Sequence, residues 1–523
     1  MRLEQLLRQS TLSFQDRPAV VEQDRTINYR QLGEAVSAFA TQLRRLPIRR
    51  GSRIALLMEN SIDYVVAYFG VLEAGFVLVP LDTSANGETI AYILENCDVR
   101  VLVAQSRYRR QLKAVFDAGC KVEYFFCDAE LPIGTDATQK LIFGEAMAMN
   151  TSLPDSSQNT DDNRDVIELE RDGKIHELAA VFYTSGSTGK PKGVMLSHLN
   201  LCSNTNATID YLKLTEDDRT LVILPFYYIY GNSLLLTNIA VGACLVIDNR
   251  FLYPETVLNT LEEQRCTGLS GVPSNFMILL GKSTLTSRKL PNLRYFTQAG
   301  GAMAPDVTRA LADAFPDKEI YIMYGQTEAA PRVTYLPPAR LSEKLGSIGI
   351  PLQGVTVTIV NDEQVEVPAG TTGELVVSGD NVMMGYWRQP EEQAEVLREG
   401  QLFTGDLGYK DDESFIFIVG RKKEIIKAGG NRVSVKEVEE ALVAHEKVLE
   451  VCVIGIPDPL LGEAIKAFIV LKPGLQLVDR ELQRHCQKLL SDYKVPKVFE
   501  VVENLPKYQS GKINRQLLKK QTA

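Results

Sequence analysis

The chain is nearly without histidine and tryptophan: 523 residues include four of the first and one of the second. The eight cysteines form no CxxC pair and follow no other metal-ligand spacing, so the composition reads as a reduced, intracellular chain without structural zinc. No apolar run reaches the roughly 18 to 20 residues needed to span a bilayer. The longest candidate, from Ala67 to Leu81, is interrupted by Glu73 and Gly75. The opening MRLEQLLRQSTLSFQDRP lacks the apolar stretch and small-residue cleavage site of a signal peptide, and its charges suit a short surface helix. A cytoplasmic location is therefore expected, with no transmembrane segment. Basic charge is not in excess either. The 57 Lys plus Arg against 66 Asp plus Glu leave a net charge of −9 at pH 7, which weighs against nucleic acid or an anionic membrane as a general partner.

What is present is ordinary globular material, 45% hydrophobic and 24% charged. At roughly 100 to 200 residues per domain, such a length implies two or more cores. From Thr26 to Val103 the pattern switches between helical and strand periods. A helix through Leu32, Val36, Phe39 and Leu43 opens on an Asn28 cap with Gln31, and strands are expected at Ile54 to Met58, Phe76 to Pro80 and Val101 to Ala104. Strands alternating with helices imply parallel βαβ units. The polar, acidic stretch Asn150 to Asp165 reads as a connector. Further strands are expected at Ala179 to Tyr183, Thr220 to Pro225, Ala243 to Asp248 and Glu319 to Tyr324. Beyond about residue 346, short alternating segments between Gly, Pro and Asp turns suggest a small β-rich subdomain. After Arg421 a compact piece begins with Ser434-Val-Lys-Glu437, a capping-box pattern, and carries its own strands and helices.

The sharpest local signal is Tyr183-Thr-Ser-Gly-Ser-Thr-Gly-Lys190-Pro-Lys-Gly193 behind an apolar strand. By Gly and Ser content alone this is a flexible surface loop. Its backbone N–H groups, hydroxyls and two lysines are also the donors that wrap a polyphosphate. It is not a Walker A loop, because the Gly186 to Gly189 spacing is too short and Pro191 follows the lysine where Ser or Thr is required.

The string resembles the phosphate-binding signature of the adenylate-forming superfamily, which includes acyl-CoA synthetases, peptide-synthetase adenylation domains and firefly luciferases. Four further motifs follow in that family's order: Tyr324-Gly-Gln-Thr-Glu328, Phe403-Thr-Gly-Asp406, Gly420-Arg-Lys-Lys423 and Pro506-Lys-Tyr-Gln-Ser-Gly-Lys512. The resemblance covers almost the whole chain. It implies an α/β fold with a large N-terminal domain (residues 1–420, β-rich from about 346), a hinge at 421–424 and a mobile α+β C-terminal lid (425–523). It also implies an AMP-forming acid–thiol ligase. Such an enzyme lets a carboxylate attack the α-phosphate of ATP, giving an acyl-adenylate and pyrophosphate, and then passes the acyl group to a thiol.

Each matching residue has an implied task. Thr184, Ser185, Gly186, Ser187, Thr188, Gly189 and Lys190 resemble the pyrophosphate cradle. Thr327 would donate to the α-phosphate, and Glu328 would hold Mg²⁺ through oxygen, the hard ligand that ion prefers. Gly301, Ala302 and Met303 face Tyr324, Gly325 and Gln326 as walls of the adenine slot. Asp406 would accept both ribose hydroxyls, beside Arg421. Lys512 is the implied catalytic ammonium, Lys423 the hinge, and Lys427, Gly430 and Arg432 the loop that enters the site in the thiolation pose. His198 and Trp387 match family positions that serve packing.

The implied acid pocket uses Tyr227, Tyr228, Gly231, Ser274, Phe276 and Gln298, together with the stretch after Glu328. No acidic residue stands in Pro225-Phe-Tyr-Tyr-Ile-Tyr-Gly231, so an unpaired substrate ammonium is disfavoured. Tyr228 occupies a position where acyl-CoA synthetases often have a gating His. The aromatics suit either an aryl acid or a core beside an acyl tunnel, so fatty, medium-chain and aryl acids all remain open. The acceptor thiol is coenzyme A or, alternatively, the phosphopantetheine of an acyl or peptidyl carrier protein.

Overall fold

The computed structural model describes residues 1–131, 138–143, 166–171, 173–184, 190–428, 431–459, 461–476, 478–507 and 513–522. The connector expected at Asn150 to Asp165 lies outside them.

Two nine-stranded sheets dominate the first four-fifths of the chain. One runs from edge to edge through Ile350–Pro351, Arg332–Leu336, Glu319–Gly325, Tyr295–Gln298, Gly268–Gly271, Arg219–Val222, Cys244–Ile247, Pro18–Glu22 and Arg25–Asn28. From Glu319–Gly325 to Pro18–Glu22 its neighbours are parallel. The second centres on Arg53–Leu57, Val77–Pro80 and Val99–Ala104, also parallel. Its long strand Lys174–Thr184 carries an antiparallel hairpin with Lys192–Ser197. The expected βαβ reading holds, and the strands are apolar runs because both faces are covered.

Local signals explain several helices. Tyr29–Arg44 opens on a reciprocal box in which Asn28 accepts from Gln31 N–H and the Gln31 side chain accepts from Asn28 N–H. Val435–Val443 opens on Ser434, whose hydroxyl accepts from Glu437 N–H at 3.4 Å. The reverse bond of that box is absent from the helix.

Two expectations need correction. The first helix, Leu3–Ser13, is not a surface element: Leu3, Leu6, Leu7 and Ser10 are buried, and Ser10 Oγ donates to Ile239 O at 2.6 Å. Its charges occupy one face and its leucines the other, at helical spacing. The strand expected at Thr220 to Pro225 ends at Val222. Pro225 has no N–H for a ladder, and its carbonyl instead accepts from Tyr228 N–H at 3.2 Å as the chain turns into the helix Ile229–Val241.

A third, antiparallel sheet (Val355–Val360, Gly373–Gly379, Leu397–Arg398, Gln401–Lys410, Ile416–Arg421) forms the β-rich part. A fourth (Ile425–Ala428, Asn431–Ser434, Val448–Asp458, Gly462–Leu471, Val498–Val501) organises the rest, with its own buried cluster around Val438, Val453 and Leu482. Among the described residues, no helix is long and apolar enough to cross a membrane.

The two large sheets meet with the C-terminal ends of their parallel strands. Asn60, just past Arg53–Leu57, donates to Leu224 O at 2.9 Å and accepts from Phe226 N–H at 2.7 Å. In the first sheet the strand order reverses around Arg219–Val222, whose neighbours are the next two strands in sequence. Crevices at such switch points are where open α/β sheets bind ligands.

Candidate active site

The candidate residues fall into three groups. The first is built on Asp406. The strand Gln401–Lys410 lies antiparallel to Ile416–Arg421 with Asp406 opposite Arg421, so two motifs 15 residues apart become cross-strand neighbours. Gly405, at φ +71°, supplies a backbone conformation that other residues rarely adopt and turns the carboxylate inward. Asp406 is 3% exposed. Its Oδ1 accepts from Arg421 Nε at 2.7 Å and its Oδ2 from the Tyr324 hydroxyl at 2.6 Å. Burial first, then the Asp406 charge, raise the Tyr324 phenol well above its ordinary range, so it remains a donor. The Asp406 charge likewise raises Arg421.

The second group is built on Glu328, within the 3-10 turn Thr327–Ala329. Its Oε1 accepts from Tyr386 O–H at 2.8 Å, and Lys192 Nζ stands 5.3 Å from the centre of the Tyr386 ring. Tyr386 is raised by burial and by Glu328. Among the described residues, the second oxygen of Glu328 has no protein partner, so the carboxylate retains a coordinating atom for a hard cation brought in on phosphate. Gly325 stands two residues before this turn. A Cβ there would sit 1.8 Å from Pro331 O, so only glycine permits the close pass of Glu319–Gly325 beside Pro331. Among the described residues, the buried Gln326 side-chain nitrogen has no partner.

The third group surrounds the expected acid pocket. Tyr228 O–H donates to Asp82 Oδ2 at 2.9 Å, the hydroxyls of Tyr227 and Thr83 are 3.4 Å apart, and the two tyrosine rings lie 4.7 Å apart. Asp82 thus supplies, from the other sheet, the carboxylate that the Pro225 to Gly231 segment lacks. The case against a substrate ammonium therefore no longer follows from the absence of a nearby acid. Ser274 and Gln298 are buried. The Gln298 amide donates to Gly301 O at 2.8 Å, while its carbonyl oxygen is unpartnered.

Three expected site residues have packing or backbone roles of their own. Phe276 is fully buried, edge-on to Phe296 at 6.0 Å within the core of the first sheet, so of the two readings left open for it the structure supports the core aromatic. Met303 also turns its side chain into that core, whereas Gly301 and Ala302 are exposed. Gly231 is required by a close approach, since a Cβ would lie 2.0 Å from Pro225 O.

Thr184 and Lys192 face each other across the hairpin that carries the hydroxyl-rich loop, and Lys190 Nζ stands 5.6 Å from the Tyr92 ring centre. Ser185, Gly186, Ser187, Thr188, Gly189, Gly430 and Lys512 lie outside the described residues, as do the side chains of Lys423, Lys427 and Arg432. Trp387 is a packing residue. Its indole donates to Asn96 O at 2.9 Å and lies 5.3 Å from the Arg53 guanidinium.

Sequence reasoning missed Asn60, Asp82 and Tyr386. Only Tyr386 carried any signal, as the neighbour of the family tryptophan.

Comparison with known proteins gives this geometry its class. The profile of the AMP-binding enzyme family matches residues 7–387, and that of the AMP-binding enzyme C-terminal domain matches 437–512. The chain belongs to the AMP-binding enzyme family, the adenylate-forming class. Among its relatives, a long-chain-fatty-acid–CoA ligase of Bacillus subtilis (strain 168) is 31% identical over 99% of this chain and 94% of its own length. A feruloyl-CoA synthase of Amycolatopsis sp is 32% identical over 93% and 92%. Among solved structures, an anthranilate CoA ligase in complex with anthranoyl-AMP superposes with a TM-score of 0.87 at 25% identity, covering 100% of this chain and 97% of its own.

Proposed function

We propose that the protein activates a carboxylic acid with Mg-ATP and transfers the acyl group to coenzyme A. The observation that carries this reading is the pair of held carboxylates, Asp406 by Tyr324 and Arg421 and, four residues along the chain from Tyr324, Glu328 by Tyr386. The family profiles and the CoA ligases among the relatives support it.

In this reading the acid's carboxylate oxygen forms a bond to the α-phosphorus as the bond to pyrophosphate breaks. Charge builds on the phosphate oxygens and the leaving group, so positioned donors and a cation carry the catalysis. Thr184, Lys190 and the loop between them hold the pyrophosphate, Thr327 donates to the α-phosphate, and Glu328 anchors Mg²⁺. Asp406 exchanges Arg421 for the ribose hydroxyls. Gly301, Ala302 and the Tyr324 stretch flank the adenine, and Tyr227, Tyr228, Ser274 and Gln298 surround the acid. Lys512 neutralises charge between carboxylate and phosphorus.

In the second step the thiolate attacks the acyl carbon and AMP leaves. We assign residues 425–523 as a lid that turns about 421–424, with Lys423 at the pivot and Lys427, Gly430 and Arg432 entering the site in the second pose.

The test separates the half-reactions. Lys512→Ala should abolish acid-dependent pyrophosphate release yet leave conversion of a supplied acyl-adenylate with CoA largely intact, and loss of both halves would overturn the role. In the parent enzyme, an acyl-adenylate that accumulates unconsumed by CoA would redirect the acceptor to a carrier protein.

A further inference from the structure

Arg332 begins the strand Arg332–Leu336 and is 2% exposed. Among the described residues, both terminal nitrogens of its guanidinium are buried without a hydrogen-bond partner and no carboxylate pairs with them. Its surroundings among the described residues are neutral, and what compensation they give comes from Tyr230, whose ring and phenol interact with the guanidinium. Nε meets the Met323 sulfur at 3.3 Å, a weak acceptor already used by the Tyr211 hydroxyl at 2.8 Å, and the guanidinium carbon lies 5.2 Å from the centre of the Tyr230 ring. Nor can the residue easily move out. Asn204 grips its backbone with both amide atoms, Nδ2 to Arg332 O at 2.6 Å and Oδ1 to Arg332 N at 3.3 Å, and Asn381 adds a third bond to the same carbonyl. A buried charge held in place without a counter-ion is among the costliest arrangements a fold can retain.

The elements around it are those that carry the acid-pocket residues. Tyr230, on the helix that follows Tyr227 and Tyr228, shares a hydrogen bond with Thr297 Oγ1 at 2.9 Å, and Thr297 shares one with Ser270 at 2.6 Å. Ser233, three residues along from Tyr230 and thus on the same side of the helix, is 5% exposed with its hydroxyl unpartnered. An orphaned fork of N–H donors and an orphaned hydroxyl therefore adjoin the region assigned to the acyl group.

We propose that the acid activated here carries a second, distal carboxylate and that Arg332 is the specificity-determining residue that binds it. The two terminal N–H groups match the two oxygens of a carboxylate. The same charge opposes a substrate ammonium. An unsubstituted alkyl or aryl acid would leave the guanidinium unpaired, and a site built to hydrogen-bond a substrate group discriminates strongly against the analogue lacking it. This inference rests on the adenylation reading above and narrows its substrate class.

The test compares matched pairs, octanedioate with octanoate and 4-carboxycinnamate with cinnamate, by acid-dependent pyrophosphate release from the full chain. At least one diacid should exceed its monoacid in kcat/KM by about 100-fold or more. Arg332→Met, which keeps length without charge, should erase that ratio, and Arg332→Lys should restore part of it. An arginine that only supports the fold would lower stability and leave the ratio between acids unchanged. Monoacids that match or exceed both diacids in the parent enzyme overturn the proposal even if the variants fail to fold. So does a diacid preference that survives in Arg332→Met. If no acid releases pyrophosphate, the adenylation reading falls, and calorimetric binding then decides Arg332 separately: diacid binding that exceeds monoacid binding upholds it, and equal or absent binding overturns it.

Discussion

Asp406→Asn isolates the contribution of one charge to nucleotide binding. The carboxylate receives Tyr324 O–H at 2.6 Å and Arg421 Nε at 2.7 Å. The carboxamide keeps one acceptor and turns the other atom into a donor. The Tyr324 hydroxyl can rotate to accept from it, so that contact survives in neutral form. The Arg421 contact weakens by only about 1 kcal/mol, because the Arg421 side chain is 53% exposed and solvent screens the pair. The larger effect falls on ATP. Hydrogen bonds to a charged acceptor contribute roughly 1.5 to 3 kcal/mol each, against about 1 for neutral ones. Two ribose hydroxyls would therefore lose about 1 to 4 kcal/mol together, or roughly 5- to 900-fold in KM for ATP. Steady-state pyrophosphate release, with ATP varied at saturating acid, reads this directly, and KM for the acid should hardly move. A KM for ATP within threefold of the parent, with kcat unchanged, would refute the assignment of Asp406 to the ribose.

Two glycines should behave oppositely under the same change. Gly231→Ala forces a Cβ to 2.0 Å from Pro225 O and should sharply lower the melting temperature or the soluble yield. Gly281→Ala, in the helix Pro273–Lys282 with nothing within 4 Å of the added atom, should stabilise by about 0.5 to 1 kcal/mol. His198 should make stability depend on pH. Burial, then Arg2, depress its pKa to about 3, and its Nδ1 accepts from Leu3 N–H at 3.1 Å, which outweighs the Glu4 carboxylate 3.9 Å away. Because the folded value lies below the unfolded one near 6.5, this contribution is complete above pH 6.5. It is lost as pH falls toward 3, by about 1.4 kcal/mol per unit. Melting curves from pH 7 to 5 should show a decline that His198→Asn flattens, and an equal decline in both proteins would refute it.

The legible parts of the fold were those in which the signal is local. Asn28 with Gln31 marks a helix start within four residues, and the apolar runs at Arg53–Leu57 and Val77–Pro80 announce buried parallel strands. The motif residues Tyr324, Glu328, Asp406 and Arg421 were legible by resemblance, and the structure adds that strand pairing brings Asp406 to Arg421 while Tyr324 reaches Asp406 from another sheet through its hydroxyl. What was illegible depends on distant segments meeting. No pattern near Tyr228 points to Asp82, nor any near Phe226 to Asn60, because each contact joins one sheet to the other. Arg332 stands in an alternating strand where an arginine ordinarily faces water. Its burial follows from strand register and from Asn204, neither of which the sequence displays.

Ser434 donates to Val419 O, Lys436 Nζ bonds Ile418 O at 2.5 Å, and a Cβ on Gly420 would come within 2.8 Å of Ser434 Oγ. These contacts straddle the 421–424 pivot proposed above. If the chain turns about Lys423 as proposed, they would act as a detent, because the rotation would have to release them together. At about 1 kcal/mol per bond, the pair shifts the resting ratio of poses by a factor of roughly ten to thirty. Throughput would then peak at an intermediate grip, with too tight a latch slowing departure from this pose and too loose a one slowing the return to it.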